Sequence, residues 1–310
     1  MACIARGEFR MIRLTNVVAR FAPIQVGPVT LRLGPGGYAL LGRPSDGVGL
    51  LLEAIAGRVL LASGKVETLG APPAKAQTRR GIGYVALDAP LPETMRVSSV
   101  FALAAKIRGE DVGDVAERLG KLGVAALAKR SVVSLSLEER RAVAVAEAIT
   151  STKTQLLLIE EPFSSMDART TSLLPKILRQ RAAAGTCVVI STASTRDPLL
   201  VADEAFAFDR GKLVWRGKPA DRVALARGES VRVQVLASDV RALAAALAKD
   251  ERAMRVVIEP GLLSVEGHAL VDIAAAIATA ARSSQSDVLS IVPDAAPFDD
   301  LLASVATRNP

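Results

Sequence analysis

The chemistry-bearing residues begin at Gly42. The segment Gly42-Arg43-Pro44-Ser45-Asp46-Gly47-Val48-Gly49-Leu50-Leu51-Leu52-Glu53-Ala54-Ile55-Ala56-Gly57 follows an apolar strand, Tyr38 to Leu41, and turns into an apolar helix. That is the frame of a phosphate-binding loop. Such a loop holds phosphate through backbone amides at a helix start, a lysine ammonium, and a Ser/Thr hydroxyl that binds Mg²⁺. Gly42, Gly47 and Gly49 still permit close backbone approach. Val48 stands at the lysine position and Gly49 at the hydroxyl position. A charge-assisted hydrogen bond is worth roughly 1.5–3 kcal/mol, so the two losses weaken binding by about 3–6 kcal/mol, or roughly 10²–10⁴ in affinity. Taken alone, the segment reads equally as a plain strand–helix turn.

The elements around it read as α/β. Met11 to Val17, Val29 to Leu33 and Tyr38 to Leu41 are expected strands, with Gly34-Pro35-Gly36-Gly37 as a turn. A helix is expected from about Gly47 to Ala56 and a strand from Ile82 to Leu87. Helical periodicity runs from Val97 to Gly123. Ser136 with Glu138 and Glu139 marks a helix start, and that helix extends to Thr150. Gln155 to Ile159 and Thr186 to Ser191 are apolar runs suited to strands buried on both faces. The helix Ala168 to Ala184, ended by Gly185, lies between them. This alternation argues for a parallel sheet.

The pattern changes near Gly217 to Glu229. Beyond it come strand Ser230 to Leu236 and helix Ser238 to Ala248, then a hairpin of Met254 to Glu259 and Leu262 to Glu266 around Pro260-Gly261. Helix Leu270 to Ser283 and strand Val288 to Val292 complete a β-α-β-β-α-β order, as in a small ferredoxin-like domain.

Composition narrows the class. The chain has 310 residues, 50% hydrophobic but only 3% aromatic, so its core is expected to be aliphatic. The net charge is +7, with Lys and Arg scattered among Asp and Glu. That pattern fits a solvated face or an anionic membrane surface, and no nucleic-acid partner is expected. Apolar runs fall short of the roughly 18–20 residues that cross a bilayer, and the first eleven residues lack a signal-peptide core. A cytoplasmic location is expected, with a peripheral position at the inner membrane face as a further option. Cys3 and Cys187 have no metal spacing, and Cys187 reads as core.

Two more segments carry carboxylates or helix caps in a telling order. Leu156-Leu157-Leu158-Ile159-Glu160-Glu161-Pro162-Phe163-Ser164-Ser165-Met166-Asp167 is an apolar strand ending in paired acids. Such a strand can deliver one carboxylate to a metal shell and one to orient an attacking water, or it is merely a solvated strand end. Leu135-Ser136-Leu137-Glu138-Glu139-Arg140-Arg141-Ala142-Val143-Ala144 precedes it. With these motifs in this order, residues 11 to about 225 resemble the ATP-binding subunit of ABC transporters. Gly211-Lys212-Leu213-Val214-Trp215-Arg216-Gly217 and Pro297-Phe298-Asp299-Asp300-Leu301-Leu302 resemble the ABC-2 exporter type.

The resemblance implies roles. Phe21 matches an adenine-stacking position, although a lone Phe there also reads as core. Glu160 stands for the usual metal-shell Asp, one methylene longer, and Glu161 for the catalytic base. Ser136 belongs to a signature motif that binds the γ-phosphate held by the opposite subunit. ATP and Mg²⁺ are the implied cofactors. Several positions depart from the pattern: Leu137 and Glu138 replace signature glycines, Leu87 a metal-contacting glutamine, and Ala193 a γ-phosphate-sensing histidine. The one histidine, His268, reads as a surface or turn residue.

The expectation is therefore an α/β P-loop NTPase-like ABC ATPase domain over residues 1–228, with a helical subdomain at about 90–150. A C-terminal α+β, ferredoxin-like domain over 229–310 follows. Its nucleotide site is degenerate, with weak or absent ATP binding and hydrolysis. The implied partners are another ATPase subunit, in a homo- or heterodimer, and an integral membrane permease. Two alternatives stand beside this: a non-catalytic scaffold or regulator that keeps the fold, and a working ATPase in which Arg43 or Arg79 replaces the lost lysine.

Overall fold

The computed structural model describes residues 11–194, 197–219, 231–259 and 261–293. They form two compact units that divide after Lys218.

The first unit runs β1 (Ile12–Phe21), β2 (Ile24–Leu33), β3 (Gly36–Leu41), α1 (Val48–Ala56), β4 (Leu61–Thr68), α2 (Ala76–Arg80) and β5 (Ile82–Val85). Then come α3 (Val97–Arg108), α4 (Val115–Gly120), α5 (Leu137–Thr150), β6 (Leu156–Glu160), α6 (Ala168–Ala183), β7 (Cys187–Thr192), α7 (Asp197–Val201), β8 (Glu204–Asp209) and β9 (Lys212–Gly217). One sheet is antiparallel, in the order β2-β1-β4. The other has the order β5-β6-β7-β3-β8-β9, parallel except for the last strand.

β3 lies between β7 and β8 in the larger sheet, and its carboxyl end shares one sheet edge with those of β7 and of β6 beyond it. The Gly42 amide donates to Thr192 O at 3.0 Å, and the Glu161 amide to Ser191 O at 2.8 Å. Open α/β sheets place ligand sites at such an edge. Leu156 to Ile159 and all of β7 are buried, as their apolar runs predict. α1 packs Leu51 and Ile55 against Leu14, Leu40, Leu158 and Phe206. Cys187 belongs to this core, and burial pushes its thiol up to about 12.

The stretch between β5 and β6 is helical. Arg108 pairs with Glu147 through both guanidinium nitrogens, joining α3 to α5. Arg118 of α4 lies 4.8 Å over the Phe101 ring and donates to Thr150 Oγ1 at 2.8 Å.

The second unit contains β10 (Val231–Ala237), α8 (Val240–Leu247), β11 (Arg255–Glu259), β12 (Leu262–Gly267), α9 (Leu270–Ser284) and β13 (Val288–Pro293). Its sheet is antiparallel in the order β11-β12-β10-β13. Val233, Val235, Leu263 and Val265 pack against Leu243 and Ile277. The β-α-β-β-α-β order follows the periodicity, and His268 is an exposed bend residue.

Several boundaries differ from expectation. Gly36 and Gly37 are not turn residues but open β3. β1 and β2 are longer than their apolar patterns, meeting at Phe21 and Ile24. β5 ends at Val85, so Leu87 lies in the following turn. The periodicity from Val97 to Gly123 breaks after Arg108, where Gly109 closes α3 with φ +70°. Pro260 and the 297–302 segment lie outside the described residues.

Candidate functional site

The loop after β3 is closed on itself. Pro44–Asp46 forms a 3₁₀ turn, in which the Asp46 amide donates to Arg43 O at 2.9 Å and the Gly47 amide to Pro44 O at 3.2 Å. The Asp46 carboxylate is 1% exposed. Its Oδ2 accepts the Arg43 amide at 2.8 Å, and its Oδ1 accepts the Arg210 amide, in the β8–β9 turn, at 2.8 Å. Amides that a phosphate loop would turn toward an anion are thus already bonded within the protein. Those of Val48 and Gly49 open α1 and have no carbonyl partner inside the helix.

Gly47 has φ +77°, a conformation that favours glycine, and a Cβ there would meet Val26 Cβ at 2.9 Å. Val48 is buried in the core, with Cγ1 leaning over Gly42. Arg43 turns toward acids of its own chain, with Asp46 Oδ2 at 3.3 Å and Asp209 Oδ1 at 3.5 Å. That geometry counts against Arg43 as a substitute for the lysine.

Both carboxylates of β6 and its exit also have protein donors. Glu160 Oε1 accepts Tyr84 Oη at 2.7 Å, and Oε2 accepts the Leu87 amide at 3.1 Å. Burial and the bond to Glu160 raise the Tyr84 pKa above its ordinary range. Glu53 on α1 is raised too, first by burial and then by the Glu160 charge. Glu161 has φ +42°, uncommon for a residue with a side chain. Its Oε1 accepts the Ala193 amide at 2.8 Å, and its Oε2 accepts Thr192 Oγ1 at 3.0 Å. Burial raises its pKa, against the lowering effect of these two bonds.

Other expected positions are placed as follows. Phe21 is 71% exposed at the β1–β2 turn, so it is not a core residue. Ser136 is the N-cap of α5: its Oγ accepts the Glu139 amide at 3.1 Å while Glu139 Oε2 accepts the Ser136 amide at 2.9 Å. Leu137 is exposed, as is Glu138. Gly49 faces Glu160, whereas Ala193 contacts Glu161 through its backbone.

Two residues that sequence reasoning did not single out organise the site. Asp46 is one. Arg141, fully buried in α5, is the other. Its guanidinium donates to Ala86 O at 2.6 Å, Leu87 O at 2.9 Å, Glu161 O at 2.9 Å, and Glu160 O. It joins the turn after β5, the end of β6 and the start of α5. An arginine on the buried face of a helix was the available signal, because a buried cation needs acceptors.

Mg²⁺ does not fit these residues. It requires an octahedral oxygen shell at about 2.0–2.1 Å. Gly49 has no hydroxyl, Leu87 has no side-chain oxygen, and both Glu160 oxygens already accept hydrogen bonds. The Glu160 carboxylate lies beside Gly49: a Cβ built there would rest in van der Waals contact, 3.4 Å from Oε1 and 3.8 Å from Oε2.

Residues 27–164 match the profile of the family described as ABC transporter. The molybdate/tungstate import ATP-binding protein WtpC of Archaeoglobus fulgidus is 33% identical over 210 residues, which are 65% of this chain and 85% of that protein. The sulfate/thiosulfate import ATP-binding protein CysA of Nocardia farcinica is 29% identical over 219 residues, 68% of this chain and 66% of that protein. A solved ATP-binding subunit of an ABC transporter superposes with a TM-score of 0.62 at 18% identity, covering 69% of this chain and 92% of that one, a likeness of fold. Members of this family use ATP and Mg²⁺. With an ABC ATPase fold, motifs in family order and a relative matched over most of its length, this chain belongs to the ABC transporter family as an ATP-binding subunit.

Proposed function

We propose that this chain is an ABC transporter ATP-binding subunit with a degenerate nucleotide site of weak or absent ATP binding and hydrolysis. It pairs with another ATPase subunit and docks on an integral membrane permease. The ATPase-like domain spans residues 1–228, with its helical subdomain at about 90–150, and the C-terminal domain spans 229–310. The observation that carries this reading is the engagement of both acids: Glu160 by Tyr84 and Leu87, and Glu161 by Thr192 and Ala193. Val48, Gly49, Leu87 and Ala193 supply no lysine, hydroxyl, amide or imidazole in their place. Leu137 and Glu138 bring bulk and negative charge to the α5 start, which disfavours a partner's phosphate as well. A homodimer would then be close to inert, and a heterodimer with a competent subunit would hold at most one impaired site.

WtpC and CysA are import proteins, whereas the 211–217 and 297–302 segments of this chain resemble ABC-2 exporters. Direction and substrate belong to the membrane component in this reading. Among the described residues no helix is long and apolar enough to cross a membrane.

A coupled-enzyme assay of the purified chain with Mg-ATP tests it. Turnover below ~1 s⁻¹ is expected, and turnover within tenfold of a typical ~10 s⁻¹ would refute it. A second reading, a non-catalytic scaffold or regulator, is favoured by the self-bonded loop around Asp46. Calorimetry separates the two: absence of heat at millimolar Mg-ATP favours the scaffold.

A further inference from the structure

We propose that Glu160 has become a structural clasp where the family places a metal ligand, and that this site is indifferent to divalent cations. The inference rests on the reading above for what the site is, but its test does not depend on nucleotide turnover.

Three sequence changes act here as one set. The added methylene of glutamate carries the carboxylate from the end of β6 across to the neighbouring β5 and its turn. There it finds Tyr84 Oη at 2.7 Å and the Leu87 amide at 3.1 Å. Gly49 faces this carboxylate: a Cβ there would rest in van der Waals contact with it, 3.4–3.8 Å from Oε1, Cδ and Oε2, and the glycine supplies no hydroxyl to bring an ion to it. Leucine at 87 contributes its backbone alone to the clasp and has no side-chain oxygen, the residue being about half exposed at 47%.

Neighbouring groups hold the clasp in place. The Arg58 guanidinium stacks 4.9 Å over the Tyr84 ring and so fixes the hydroxyl that bonds Glu160. Leu87 is gripped at both ends of its backbone, its amide by Glu160 and its carbonyl by Arg141 at 2.9 Å. A metal ion bridging this carboxylate to α1 would share oxygens that already accept the Tyr84 and Leu87 bonds and would gain no hydroxyl from Gly49. The reach of Glu160 to Tyr84 and Leu87 thus rests on its added methylene, which aspartate lacks.

Thermal melting of the full chain in EDTA tests the clasp. E160D should lower the Tm of the first unit by about 3–6 °C, because the shorter acid loses both bonds. E160Q should stay within about 2 °C, since its carbonyl can accept the Leu87 amide and its NH₂ can donate to Tyr84 Oη. Y84F and E160D should be non-additive, because they remove the same bond. Replacing EDTA with millimolar MgCl₂ should leave the wild-type Tm unchanged, and ATP should give the same shift with Mg²⁺ as with EDTA. An E160D protein as stable as the wild type, additivity of the pair, or a Mg²⁺-dependent shift would each overturn the proposal. ATP turnover by the wild type would sink the proposed function and leave the clasp to be judged by melting in EDTA alone.

Discussion

Thr192 Oγ1 stands 3.0 Å from Glu161 Oε2 and 2.9 Å from Asp197 Oδ2, one hydroxyl between two carboxylates. A hydroxyl has one hydrogen, so it serves one acid at a time. Protonating Glu161 resolves the conflict: the acid donates to Thr192, whose hydrogen then turns to Asp197. Burial is the main cause of the raised Glu161 pKa and the Asp197 charge adds to it, while the Ala193 and Thr192 bonds act in the lowering direction.

The pH dependence follows from that direction. Between its unfolded value near 4.5 and its higher folded value, Glu161 binds more protons folded than unfolded. Its contribution to stability is therefore complete below the unfolded value and is lost as pH rises through the folded one. E161Q, whose NH₂ can donate to Thr192 permanently, should stabilise the first unit at pH 7–8 by about 1 kcal/mol, or roughly 2–4 °C. The gain over the wild type should shrink on acidification and vanish below pH ~4.5. Melting curves across that range check it, and a gain independent of pH would contradict it.

Removing Arg141 should be severe. R141A takes a donor from four carbonyl oxygens, of which Ala86 O and Glu161 O keep the Ala89 and Ser164 amides, and R141K cannot fork to reach all four. A loss exceeding about 3 kcal/mol, on the order of 10 °C, is expected for either. Denaturant unfolding gives the free energy directly. A loss under about 1 kcal/mol would show that the carbonyls find other donors.

The α5 cap gives a smaller, local effect. S136A removes the hydroxyl that accepts the Glu139 amide and should cost about 1 kcal/mol, or roughly 2–4 °C. E139Q retains a capping-box partner and should lose less. Circular dichroism melts of the two variants provide the comparison.

Signals that were local in the sequence proved readable. The run Leu156 to Ile159 and the Ser136–Glu139 pair state their own structure, one by buried period and one by cap chemistry. β4 was missed because its middle, Ser63-Gly64-Lys65, is polar and exposed. Gly37 looked like a turn residue, yet it sits in a central strand because the Val201 backbone approaches so closely that a Cβ would lie 2.3 Å from its carbonyl. Asp46 passed as an ordinary loop residue, since its partner Arg210 lies 164 positions away. Arg141 was equally silent: its acceptors lie 55 and 54 residues before it and 19 and 20 after it. Losses at Val48 and Gly49 are visible as residue types, but the contact between Gly49 and the Glu160 carboxylate is visible only in three dimensions.

Asp46 has one more consequence. By fastening the Gly42–Gly49 loop to the β8–β9 turn, it sets the loop's shape through bonds of the chain itself. A ligand moves a protein only between states that it binds unequally. A loop already braced in one state gives such a ligand little leverage. In the proposed pairing with another ATPase subunit, this chain would then be the fixed block, and the stroke would have to come from elsewhere.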